Sequence, residues 1–136
     1  MMGHLRGGLA HVNILSSMLF AGLSGSAVAD TSAIGSMLIP AMEKQKSGKI
    51  GIISSIASFR GLPDHGGYSS SKAALRYLAE SWDHNLSKNN ITITTIFPGW
   101  IATEMTAKHE FKMAFLMDSD KAAIIITEAI HAEKGK

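Results

Sequence analysis

Ser55, Tyr68 and Lys72 are the residues of this 136-residue chain whose types and spacing could do chemistry. Tyr68 and Lys72 are four apart, so on a helix they stand one turn apart on one face. An ammonium beside a phenol favours the phenolate, which suits Tyr68 to act as a general acid/base. Ser55 precedes Tyr68 by 13 positions (68 − 55) and ends a strand-like run. Its hydroxyl could donate to an oxygen on which charge develops. A Y-x-x-x-K pair alone is common on helix surfaces. The serine before it and the run Pro98-Gly99-Trp100-Ile101-Ala102-Thr103 after it make a constellation of the pair.

The elements that must position these residues are legible around them. Lys49–Ser55 (KIGIISS) carries Ile50, Ile52 and Ile53, with Ile56 following, which predicts a strand covered on both faces. A loop rich in turn residues follows (Gly61, Pro63, Asp64, Gly66, Gly67). From Tyr68 to Ser87, Ala74, Leu75, Leu78, Ala79, Trp82 and Leu86 recur at helical spacing. Asn89-Asn90 marks a turn, and Ile91–Phe97 (ITITTIF) is a second β-rich run ending at Pro98-Gly99. One helix between two such runs predicts parallel neighbouring strands joined by a crossover. Ser55, Tyr68, Lys72 and residues 98–103 should then converge at the carboxyl ends of the strands, where open α/β sheets hold ligands. Pro98 fixes one φ and Gly99 relaxes the next, so a ligand could approach the backbone there. Glu43–Gly48 reads as a polar connection in which Gly48 ends a helix. Thr106–Met117 is less regular and reads as a substrate lid. Asp118 or Ser119 should cap a last helix, with Ala122, Ile125, Ile126, Ala129 and Ile130 facing inward and Gly135 at its end.

The wording SSIASFRGLP, YSSSKAAL and PGWIAT resembles the second half of the short-chain dehydrogenase/reductase family, from about Leu38 to the C-terminus. The resemblance implies hydride transfer between NAD or NADP and a small carbonyl or alcohol substrate. It gives Tyr68 the role of proton donor, Ser55 that of orienting the substrate oxygen, and Lys72 that of holding the nicotinamide ribose. Tyr68, Lys72, Pro98, Gly99, Ile101 and Thr103 would line the cofactor. Thr103 would meet its amide or phosphates, and helix 68–87 would join a homo-oligomer. The fold expected is α/β, a partial Rossmann-like doubly wound parallel sheet preceded by an apolar helical segment. The first half of the family pattern is not legible. No third glycine completes a fingerprint with Gly22 and Gly25, no charged residue ends a second strand to select the cofactor, and no Asn occurs between Asn13 and Asn85.

Residues 1–42 differ in character from 43–136, and these are read as two units. No Asp, Glu, Lys or Arg occurs from Leu9 to Ala29, long enough for a membrane span but diluted by His11, Asn13 and several serines. Arg6, an apolar stretch and Ala-Val-Ala before Asp30 would also fit a signal peptide. The wording of Gly7–Met42, above all SGSAVAD, resembles the large membrane subunit of TRAP transporters, where a broken segment lines the substrate site. The plainest reading is an apolar helical segment packed on the α/β part, with membrane contact of 9–42 not favoured. Two unrelated fragments would meet near Leu38–Met42.

Composition narrows the rest. The net charge is +2 with no basic run, which gives nucleic-acid binding no support. There is no Cys, hence no disulfide and no thiolate chemistry, in keeping with a cytoplasmic protein. Six scattered His show no ligand spacing, so no metal site is expected. Beside the oxidoreductase reading stand a catalytically silent α/β interaction module and a membrane-transporter fragment. Without a glycine loop, little or no turnover is expected of the chain alone.

Overall fold

The computed structural model describes residues 26–104, 106–108 and 113–132. Helix α1 (Ala27–Gln45) leads into strand β1 (Gly48–Ile53), helix α2 (Gly66–Leu86), strand β2 (Ile91–Ile96) and helix α3 (Ser119–His131). The strands pair in parallel, from Gly48 opposite Ile91 to Ile53 opposite Ile96, so α2 is the expected crossover. Helix α2 begins two residues before Tyr68, and Gly66 and Gly67 belong to its first turn rather than to the loop.

The core lies where α1 and α2 cover one sheet face. Met42 of α1, Leu75, Ala79 and Leu86 of α2, and Ile52, Ile91 and Ile93 of the strands form one buried cluster, with Trp82 packed against it. Ala74 and Leu78 flank it half-buried, as a helical stripe should. Helix α3 lies over the opposite face: Gly51 points there, and a Cβ on it would come within 3.0 Å of Ile130 Cγ1. Two layers of helix with strands between is the expected α/β architecture.

Four expectations are corrected. The cover of β1 on its second face is partial, because α3 meets it at Gly51 while Ile53 is exposed, as is Ile56 beyond the strand. The helix end does not use Gly48, since Lys46 takes the left-handed cap conformation (φ 54°) and Gly48 starts β1. Gly48 is small for another reason, as a Cβ there would sit 2.8 Å from Met42 Sδ. The polar connection shrinks to Lys46 and Ser47, because Glu43–Gln45 complete α1. Ile125 of α3 faces solvent, while Ala122 is buried and Ile126, Ala129 and Ile130 are partly so. Asp118 caps α3 as expected, accepting from the Asp120 and Lys121 amides at 3.0 and 3.1 Å. Helix α1 runs unbroken through 38–42, where two fragments were expected to meet, with Pro40 inside it. Gly22, Gly25 and Gly135, like the rest of residues 1–25, lie outside the described residues. No helix among the described residues is long and apolar enough to cross a membrane, and none of their His, Asp and Glu gather into a metal-sized group.

Candidate functional site

The parallel ladder does not stop with the strands. The Ser54 amide donates to the Ile96 carbonyl at 2.8 Å, and the Ile56 amide donates to the Pro98 carbonyl at 3.1 Å. This stitching carries Ser55 past the carboxyl end of β1 and lays it beside Phe97 and Pro98, where the P-G-W-I-A-T run begins. Ser55 is 7 % exposed. It caps a short 3-10 turn (Ile56–Ser58), its Oγ accepting from the Ala57 amide at 3.2 Å. One lone pair is thereby used, and the hydroxyl hydrogen is free to be donated elsewhere.

Tyr68 and Lys72 stand on the first turns of α2, which packs against that same 3-10 turn. Lys72 Nζ donates to the carbonyl of Ile53, the last residue of β1, at 3.1 Å. The same Nζ lies 5.8 Å from the centroid of the Tyr68 ring, within cation–π range. Burial lowers the Lys72 ammonium below its ordinary value, since a half-buried cation loses hydration. Tyr68 itself is 44 % exposed, so its ring is open to a ligand.

Beyond Pro98-Gly99 the chain turns, and the Thr106 hydroxyl helps to hold the turn. Thr106 Oγ1 donates to the Ile101 carbonyl at 2.7 Å and accepts from the Thr103 amide at 2.8 Å. The far end of the 106–117 stretch is tied back by the Met117 amide on the Trp100 carbonyl (2.9 Å) and the Ala102 amide on the Met117 carbonyl (2.8 Å). Between them lies a cleft of about 560 Å³, lined by Ala102, Thr103, Glu104, Thr106, Met113 and Leu116. Next to Leu116, Phe115 is 99 % exposed in the left-handed region (φ 58°). Gly99 has an ordinary φ, and a Cβ there would meet nothing nearer than Ile56 Cδ1 at 3.9 Å, so the protein's own packing does not require a glycine.

The structure thus brings Lys72 to the end of β1 beside Tyr68, and ties Ser55 to the Pro98 segment. Two residues went unread in the sequence. Ser54, 2 % exposed, donates through Oγ to the Lys72 carbonyl at 2.8 Å. Thr106 holds the Thr103 turn. A polar residue ending an apolar strand run, and a second threonine three after the first, were the available signals.

Comparison with known proteins agrees with this fold. The family profile described as short chain dehydrogenase matches residues 28–114, ten residues upstream (38 − 28) of where the wording begins to resemble it. An uncharacterized oxidoreductase of Myxococcus xanthus (strain DK1622) is 36 % identical over 109 residues, covering 80 % of this chain and 43 % of that protein. A solved 7 alpha-hydroxysteroid dehydrogenase, complexed with NADH and 7-oxo glycochenodeoxycholic acid, shares the fold with a TM-score of 0.68 at 23 % identity, over 76 % of this chain and 46 % of that one. A sialic acid TRAP transporter large permease protein of Vibrio cholerae is 48 % identical over 46 residues, 34 % of this chain and 11 % of the permease. The chain therefore spans less than half the length of these relatives. A parallel crossover from β1 through α2 to β2, lying within the match over residues 28–114, makes the chain a member of the short-chain dehydrogenase family.

Proposed function

We propose that this chain carries the substrate-facing half of an oxidoreductase site, which moves hydride between a nicotinamide cofactor, NAD or NADP, and a small carbonyl or alcohol substrate. The observation that carries the reading is the Lys72 ammonium, held at the end of β1 and beside the Tyr68 ring. A glycine that the protein's own packing does not need, at Gly99, and an open cleft beside Thr103 fit a planar ring laid along Pro98–Thr103.

In this reading Pro98, Gly99, Ile101 and Thr103 line the nicotinamide end, and Lys72 hydrogen-bonds the ribose. The cofactor, when bound, supplies or accepts the hydride. Tyr68 Oη gives its proton to the substrate oxygen as charge develops there. Ser55 donates its hydroxyl hydrogen to the same oxygen and fixes its direction. A second copy packed on α2, whose Tyr77 is exposed, and a cytoplasmic setting belong to the same proposal.

The test is titration of the chain with NADH and NADPH, followed by Trp100 emission in a Trp82→Phe background. Binding should be weak and should perturb Trp100, because no glycine loop among the described residues holds a pyrophosphate. Tyr68→Phe should leave that binding in place. Where a partner chain or second copy supplies a glycine loop and turnover appears, Tyr68→Phe should reduce it by at least about 10²–10⁴-fold. Turnover that survives Tyr68→Phe would overturn the assignment of the acid, and a silent Trp100 at millimolar nucleotide would overturn the cofactor reading.

A further inference from the structure

We propose that Ser54 is a positioning residue that sets where helix α2 delivers Lys72, acting through a reciprocal clasp between strand end and helix. The proposal rests on the reading of Lys72 as part of the hydride-transfer site.

The clasp has two bonds in opposite senses. Ser54 Oγ donates 2.8 Å to the backbone carbonyl of Lys72, and Lys72 Nζ donates 3.1 Å to the backbone carbonyl of Ile53, the residue before Ser54. One residue of the helix is therefore gripped at its main chain and at its side-chain tip by two consecutive residues of the strand. Ser54 is itself immobilised, because it is 2 % exposed and its amide is spent on the Ile96 carbonyl. The Lys72 carbonyl sits in the second turn of α2, where an intrahelical bond uses one lone pair and leaves the other for a side chain.

A side chain as long as lysine has four rotatable bonds, and its tip is fixed only if its base is. Ser54 supplies the base. Ser55 follows it directly, so the clasp also fixes the distance between the helix and the serine that would orient the substrate oxygen. Alanine at 54 would keep the strand, the ladder and the burial, and would remove the grip on the helix main chain alone.

The test needs no cofactor and no activity. In the full chain labelled with ¹³Cε-lysine, the Lys72 signal is assigned by its loss in Lys72→Met, and its order parameter is measured at neutral pH. Wild type should show a restrained ε-methylene. Ser54→Ala should lower it to the range of mobile side chains, below about 0.6, and weaken the nuclear Overhauser contacts between Lys72 and Ile53. Ser54→Thr, which retains the hydroxyl, should restore both. Ser58→Ala is the control, because Ser58 is also buried and its hydroxyl has no partner; it should leave Lys72 unmoved. A folded Ser54→Ala chain with an ordered Lys72 tip would overturn the proposal, as would an equal loss of order in Ser58→Ala. If Ser54→Ala does not fold, Ser54→Cys, of similar size and a weak donor, carries the same expectation and the same refutation. A chain that loses Lys72 order in Ser54→Ala yet ignores NADH would leave the clasp standing and remove the chemistry proposed for it.

Discussion

Gly35→Ala sets two known effects against each other at the contact that holds α2 in place. Gly35 is buried inside α1, and in a helix interior alanine is better than glycine by about 1 kcal/mol. The added Cβ, however, would lie 2.7 Å from Trp82 Cζ2 and 3.0 Å from Cζ3. Trp82 Cη2 would lie closer still, and carbon atoms pack best at about 3.5–4.0 Å, so the indole would have to retreat by roughly 1–2 Å. Overpacking of this kind costs about 1–3 kcal/mol. The net is a loss of between about 0 and 2 kcal/mol, the retreating indole outweighing the gain in helix propensity. Urea unfolding with a slope of about 1–3 kcal/mol/M would show a 1 kcal/mol loss as a midpoint lower by about 0.3–1 M. Trp82 emission should shift as the ring moves toward solvent. The cycle with Trp82→Leu isolates the clash: in that background Gly35→Ala should stabilise, giving a coupling of about 1–3 kcal/mol. Stabilisation of the wild-type chain by the full 1 kcal/mol, with Trp82 emission unchanged, would refute the close approach of the two helices.

Two further outcomes follow from named contacts. The lowered Lys72 ammonium means that the native state gives up this proton before the unfolded chain does. Charged Lys72 therefore weighs on the fold at neutral pH, and the burden lifts as pH rises from the lowered native value toward the ordinary one. Relative to Lys72→Met, wild type should gain stability across that alkaline window; parallel stability–pH curves for the two chains would contradict it. Asp118→Ala should cost about 1 kcal/mol, since two amides of α3 lose their acceptor. Thermal unfolding should show it, and Asp118→Ser should restore most of the loss.

The strands and the crossover helix were legible because ITITTIF and the stripe at Leu75, Ala79 and Leu86 are strong local signals. The exposure of Ile53 in β1 was not, because a run of isoleucines looks the same whether or not a neighbour covers it. Ile53 and Ile52 are chemically identical, and only the placement of α3 separates them. Helix ends were misread where a non-glycine took the glycine's role, as at Lys46. In the candidate site, residue types gave Ser55, Tyr68 and Lys72 together, since their chemistry is in their side chains. Ser54 and Thr106 act on backbone carbonyls, which carry no sequence signature, so their partners appear only once the chain is folded.

The ladder that continues past the strands has a kinetic side. Every pair in the sheet joins residues 43 positions apart, from Gly48 with Ile91 to Ile53 with Ile96, and the bonds from Ser54 and Ile56 are the last teeth of that zipper. End teeth open most easily, so the Ser54 and Ile56 amides should exchange with solvent through a local fraying that leaves Ile50 and Ile93 closed. Ser55 and Pro98 separate in the same event. A ligand lying across both would hold the zipper shut and slow exchange at those amides first, before any change in the core.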